Sequence, residues 1–184
     1  MAKFLIGENT YLRPLEKEDL EKGLELYNDP EIRYLSRTDD MPSNRAQMEE
    51  MFEKINKNKD EIFLIICLND DTQIGMVDLH LQPLHRRAKM GISIDKSHWG
   101  KGYGTEDTVL ALNYLFNTLN MHRVEVWVIE FNERSLHLFE KLGFKKEGVT
   151  RDAAFKDGSY HSVINLGILE DEWRYDNQGR KSRP

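Results

Sequence analysis

A chain of 184 residues, 39% hydrophobic and 32% charged, fits one globular domain with a sizeable core. Its formal net charge of −6 argues against nucleic acid as a direct partner, because the phosphate-neutralising term that dominates such binding needs a basic face. No apolar run reaches membrane-spanning length, no secretory pattern opens the chain, and one cysteine, Cys67, cannot close an internal disulfide, so the cytoplasm is the expected compartment.

The first predicted element is a strand over residues 11–14, followed by helices over 17–27 and 43–57. Between them, residues 28–42 carry Pro30, Asp39, Asp40 and Pro42 and read as a loop over the core, with one short helix around 32–35. Three strands are expected next, over 61–69, 73–81 and 89–95, with Asp70-Asp71 as the turn between the first two. In the second, Val77, Leu79 and Leu81 alternate with Met76, Asp78, His80 and Gln82, which gives one apolar and one polar face and implies antiparallel hairpins. Cys67 ends an apolar strand and is expected to be buried.

Beyond them lies His98-Trp99-Gly100-Lys101-Gly102-Tyr103-Gly104-Thr105, three alternating glycines opening a helix on which Val109, Leu112, Leu115, Phe116 and Leu119 fall at helical spacing. A glycine-rich turn at a helix start presents unpaired N–H groups at the positive end of the helix dipole, an arrangement that suits a diphosphate. A strand over 122–131, a helix over 132–142 with Gly143 at its C′ position, and strands over 146–155 and 160–169 turning at Asp157-Gly158 complete the pattern. Strand, helix and strand in that order make a right-handed crossover between parallel neighbours. Residues 1–175 are expected to form the single domain, and 176–184, which lack apolar anchors, a disordered tail. Trp127, Phe131 and Phe144 fit core positions.

A nucleoside triphosphate P-loop is ruled out by Thr105-Glu106 where that motif needs Lys followed by Ser or Thr. The dinucleotide fingerprint matches at Gly100, Gly102 and, some twenty residues on, Glu125, but Thr105 stands at its third glycine and about ninety residues precede it. The order of elements, with Trp99-Gly100-Lys101-Gly102-Tyr103-Gly104 and the word from Asn132-Glu133-Arg134-Ser135 to Leu142-Gly143-Phe144, resembles the GCN5-related N-acetyltransferases. Thr10-Tyr11-Leu12-Arg13-Pro14-Leu15 and Asp157-Gly158-Ser159-Tyr160 are similar to that family's ribosomal-protein and polyamine branches. The resemblance implies an α+β fold: a central, mostly antiparallel twisted sheet with one parallel, splayed strand pair and helices on both faces.

It also implies acetyl-CoA as co-substrate, with no metal, and a primary amine as acceptor. The amides of Gly100, Lys101, Gly102, Tyr103, Gly104 and Thr105 would wrap the pyrophosphate, with Lys101 adding charge. The pantetheine would run along Ile92, Ser93 and Ile94, one of whose amides would polarise the thioester carbonyl, and Asn132 would cap its helix and touch the pantetheine. Relatives often carry a glutamate where this chain has Lys89 and a tyrosine where it has Phe139. His80 and Asp78 are therefore the candidate bases, and Ser135 the candidate donor to the departing sulfur. Tyr34, Asp39, Asp40 and Tyr160 are the residues that would contact the amine. A protein or peptide α-amine is the preferred acceptor, ahead of a polyamine such as spermidine or a small-molecule amine; a non-catalytic acyl-CoA-binding module is the alternative class. The oligomeric state, a homodimer included, stays open.

Overall fold

Alternating side chains along the strands dictate a sheet with two unlike faces, and the computed structural model, which describes residues 2–36 and 40–177, shows helices packed on both. In chain order the elements are β1 (Leu5–Ile6), β2 (Thr10–Pro14), α1 (Leu20–Asn28), α2 (Pro30–Leu35), α3 (Arg45–Lys57), β3 (Glu61–Leu68), β4 (Gln73–Gln82), β5 (Arg87–Ile94), α4 (Tyr103–Asn113), β6 (Arg123–Ile129), α5 (Glu133–Lys141), β7 (Lys145–Lys156), β8 (Ser159–Leu169) and α6 (Glu170–Asn177). The strands form one sheet in the order β1-β2-β3-β4-β5-β6-β8-β7. Leu64, Ile66, Val77, Leu79, Ala88 and Met90 enter the main core on one face together with Ala111, Leu112, Leu115 and Phe116 of the α4 segment. On the other face Ile65 and Met76 meet Leu20 and Leu26 of α1 and Met48 of α3.

One pairing is parallel, and it is short. β5 and β6 align only at Arg87 with Arg123, Ala88 with Val124 and Lys89 with Glu125. Beyond Lys89, β5 stays paired to β4 as far as Ile94 while β6 stays paired to β8 as far as Ile129, so the two strands part and leave facing backbone groups without a strand partner. The expected splay is thus present, and it opens the cleft described below.

The start of α4 is tied to β2. Glu106 accepts from both nitrogens of Asn9 at 2.8 and 3.0 Å, and the Thr10 hydroxyl donates to Asp107 Oδ1 at 2.6 Å. Asp107 is fully buried, and its Oδ2 has no hydrogen-bond partner. Burial pushes this carboxyl up from its ordinary 3.8 to about 7, with neighbouring Glu106 adding to the rise. A proton held in the folded chain and released in the unfolded one gives stability that is full below the unfolded pKa and is lost as pH rises through the folded one. Unfolding free energies from denaturant titrations are therefore expected to fall between about pH 4 and 7, by a few kcal/mol in total, relative to an Asp107→Asn variant, which keeps an acceptor for Thr10 and has no proton to lose. Parallel stability curves for the two proteins would refute this.

The structure departs from the sequence expectations at five points. Two elements went unread: β1, and α6, which carries Trp173 into the core against Phe116 at 6.4 Å with the acidic first turn Glu170, Asp171 and Glu172 placed to suit the helix dipole. The expected tail from Asp176 begins inside α6, and 178–184 lie outside the described residues. Trp127 is not a core residue: it is 42% exposed on the polar face of β6. The short helix in the 28–42 loop is a full six residues, because Asp29 caps it by accepting from the amides of Glu31 and Ile32 and Pro30 opens it.

Candidate active site

A cleft of about 770 Å3 runs between the diverging strands, lined by Ile92, Ser93 and Ile94 of β5, Glu125 to Ile129 of β6, the glycine turn and one face of α5. At the turn, Trp99 N–H donates to Lys96 O, and the amides of Thr105 and Glu106 both donate to Gly102 O at 3.0 and 3.1 Å. Between them the amides of Gly100, Lys101, Gly102, Tyr103 and Gly104 donate to no backbone carbonyl among the described residues. Gly100 and Gly102 have φ of +74° and +90°, and a Cβ built on either would meet nothing within 4 Å. Open space in front of a run of bare donors at a helix start fits a diphosphate. Thr105 lines the cleft, but its amide is already satisfied within the turn, so it is not one of the donors.

The indole of Trp99 is fixed by a 2.7 Å bond from Nε1 to Ile94 O, and the Arg134 guanidinium lies 3.7 Å over its ring. Arg134 and His98 line the cleft beside the turn, whereas Lys101 does not, which moves the cationic wall from the turn itself to the start of α5. Asn132 caps α5 by accepting from Ser135 N–H at 3.1 Å and donates its own amide to Leu35 O at 3.0 Å, so the helix start is joined to the end of α2. The same cap presents Ser135 to the cleft. Phe139 also borders the cleft and packs on Phe144, ring centroids 5.2 Å apart, but carries no hydroxyl to offer the sulfur.

The polar faces of β4, β5 and β6 form the other wall. His80 Nε2 lies 3.0 Å from Asp78 Oδ2, and this bond holds the imidazolium up from the ordinary 6.5, with Glu61, 3.8 Å from Nδ1, acting in the same direction. Gly91 stands opposite Asp78 in the ladder, and a Cβ there would come within 2.5 Å of the carboxylate. The missing side chain is what leaves the dyad its place. Glu125 accepts from Arg87 and Arg123 at 2.7 Å each, and Lys89 Nζ sits 3.6 Å over the Trp127 ring.

The fold thus brings His80, Asp78, Ser135, Asn132, Ile92, Ser93, Ile94 and the glycines Gly100, Gly102 and Gly104 with Tyr103 into one cleft. It does not bring the expected amine contacts there. Tyr34 stacks on Phe131 at 4.6 Å, Asp40 accepts from Lys156 Nζ at 2.7 Å, and Tyr160 packs on Phe155 at 4.9 Å, all outside the cleft lining, while Asp39 lies outside the described residues. Trp127, Arg134, Gly91 and His98 were missed. Alternation on β6, which puts Trp127 two residues from Glu125 and on its face, was the signal that could have found the first.

A splayed parallel pair with a glycine turn and a bare diphosphate cradle defines an acetyl-CoA-dependent acyltransferase, and the family comparison agrees: the acetyltransferase (GNAT) domain model matches residues 9–145, and the chain belongs to that family. It is an N-acetyltransferase using acetyl-CoA as co-substrate. The chain is 33% identical to the probable N-acetyltransferase YjcK of Bacillus subtilis, covering 90% of this chain and 96% of that protein. It is 31% identical to the spermidine N(1)-acetyltransferase of Escherichia coli K12, covering 88% of this chain and 87% of that protein. The spermidine N-acetyltransferase of Vibrio cholerae, solved with CoA and spermine, superposes with a TM-score of 0.86 at 29% identity, covering 90% of this chain and 98% of that one.

Proposed function

We propose that residues 1–175 act as a single catalytic domain that acetylates the α-amine of a protein or peptide by direct attack within a ternary complex. The observation that carries this reading is the His80–Asp78 pair on the cleft wall, an imidazole whose pKa that carboxylate draws up from its ordinary value, beside the thioester channel. A lysine-like amine must give up about 4–5 kcal/mol to be uncharged at pH 7, an α-amine only about 1. A single imidazole suits the smaller task. In this reading the acceptor's proton passes to His80 while Asp78 holds the ring, and an amide of Ile92, Ser93 or Ile94 stabilises charge developing on the carbonyl oxygen. The Ser135 hydroxyl donates to the departing sulfur. The protein works in a reducing cytoplasm, in keeping with its buried Cys67.

A second reading takes a polyamine as acceptor. It is favoured by the spermidine acetyltransferases of Escherichia coli and Vibrio cholerae among the relatives. Release of free thiol from acetyl-CoA, scored against peptides with free N-termini, the same peptides with only a lysine amine, spermidine and amino sugars, tests both. Fastest turnover on the free N-terminus is expected; turnover confined to spermidine replaces the first reading with the second.

A further inference from the structure

We infer that Lys89, held over the face of Trp127, is the specificity determinant of the acceptor site and selects amines flanked by a carboxylate while turning away di- and polycations. The inference rests on the α-amine reading above. Lys89 is the last β5 residue paired to β6, so its side chain stands at the fork where the strands part and the thioester channel opens onto the polar wall.

What surrounds it decides its effect. The carboxylate beside it in the ladder, Glu125, is already shared by Arg87 and Arg123, and Asp78 is bonded to His80. Among the described residues no carboxylate forms an ion pair with Lys89; its ammonium lies instead on the indole of Trp127, 3.6 Å from the ring centroid. A cation–π contact fixes the position of a charge without neutralising it.

A substrate ammonium entering for attack therefore meets one imidazole–carboxylate pair and a fixed positive charge. One positive charge can be taken up by the pair and released as a proton. A second is repelled by Lys89, and the remaining carboxylate of this wall, Glu61, lies behind the ring at 3.8 Å from His80 Nδ1, whereas a carboxylate near the amine finds a preplaced ammonium. Repulsion of the wrong partner is as effective a source of selectivity as attraction of the right one. The chemistry recognised is an α-amine with an acidic group on its own or the following residue.

The test compares kcat/KM for thiol release on three acceptors: a peptide with Asp and Glu after its N-terminal residue, the same peptide with Asn and Gln there, and spermidine. The wild-type enzyme is expected to prefer the acidic peptide over the neutral one by about tenfold or more at low salt, the ratio shrinking at high salt, with spermidine slowest. Lys89→Met, which keeps the length and removes the charge, should bring the two peptides together, and Lys89→Glu should invert the order and favour spermidine. Peptide turnover with no acidic preference, or a preference that Lys89→Met leaves intact, overturns this inference alone. Turnover of spermidine with neither peptide consumed overturns it together with the α-amine reading.

Discussion

Replacing His80 by alanine is expected to lower kcat on a peptide α-amine by about 10²–10⁴-fold, the range of positioned general bases, while acetyl-CoA still binds. The acceptor must lose its proton before or during attack, and His80 is the titratable side chain of the cleft whose pKa is drawn upward by a specific partner, Asp78 at 3.0 Å. The sign of the pH dependence follows. Only the neutral ring accepts a proton, so kcat/KM should rise with pH through a midpoint above the ordinary imidazole value of 6.5. The acceptor's own titration is common to wild type and variant, and their ratio at each pH isolates the His80 limb. Asp78→Asn removes the carboxylate that raises this midpoint and should shift the limb to lower pH. A variant lacking His80 with wild-type kcat and an unmoved profile would take the base out of the mechanism and leave proton removal to solvent.

The parts of this site that sequence reveals are those fixed by backbone chemistry. Alternating glycines before a helix, a cap residue three positions ahead of Ser135 and a polar stripe through Asp78 and His80 are local patterns with local causes, and each occupies its expected place. What stayed hidden depends on residues distant in the chain. Trp127 reads as a core aromatic until the pairing of β6 with β5 shows it two residues beyond Glu125 on the face that also carries Lys89. Arg134 is one letter of the Asn132–Ser135 word in sequence, and only the fold lays it over Trp99. α6 is short and polar, and its Trp173 packs on Phe116 and donates to Asn113 at 3.2 Å, a partner 60 residues away. The expected acceptor contacts lie outside the cleft lining for a related reason. Tyr34, Asp40 and Tyr160 are acidic or aromatic residues in loops and hairpin ends, but stacking on Phe131, an ion pair with Lys156 and packing on Phe155 engage them there.

Gly102→Val is expected to weaken acetyl-CoA binding by at least about 100-fold while the protein still folds. At φ of +90° glycine is unstrained, but a β-branched residue is forced either to hold a backbone conformation costing roughly 1–2 kcal/mol or to relax it. Relaxation turns the neighbouring amides away from their common focus, and the wrapping of an anion by the turn depends on that convergence. The valine side chain adds a second effect. A Cβ at this position meets no protein atom within 4 Å, so the folded chain accommodates it; the space it fills is the space a diphosphate would need against the turn. Fold and binding are thereby separated, and calorimetric titration with coenzyme A alongside thermal melts reads both. Lys101→Ala serves as the contrast, because that side chain lies outside the cleft lining and its loss should change the affinity far less. Unchanged affinity in Gly102→Val, or a Lys101→Ala defect as large as that of Gly102→Val, would mean that side-chain charge rather than the main-chain cradle holds the coenzyme.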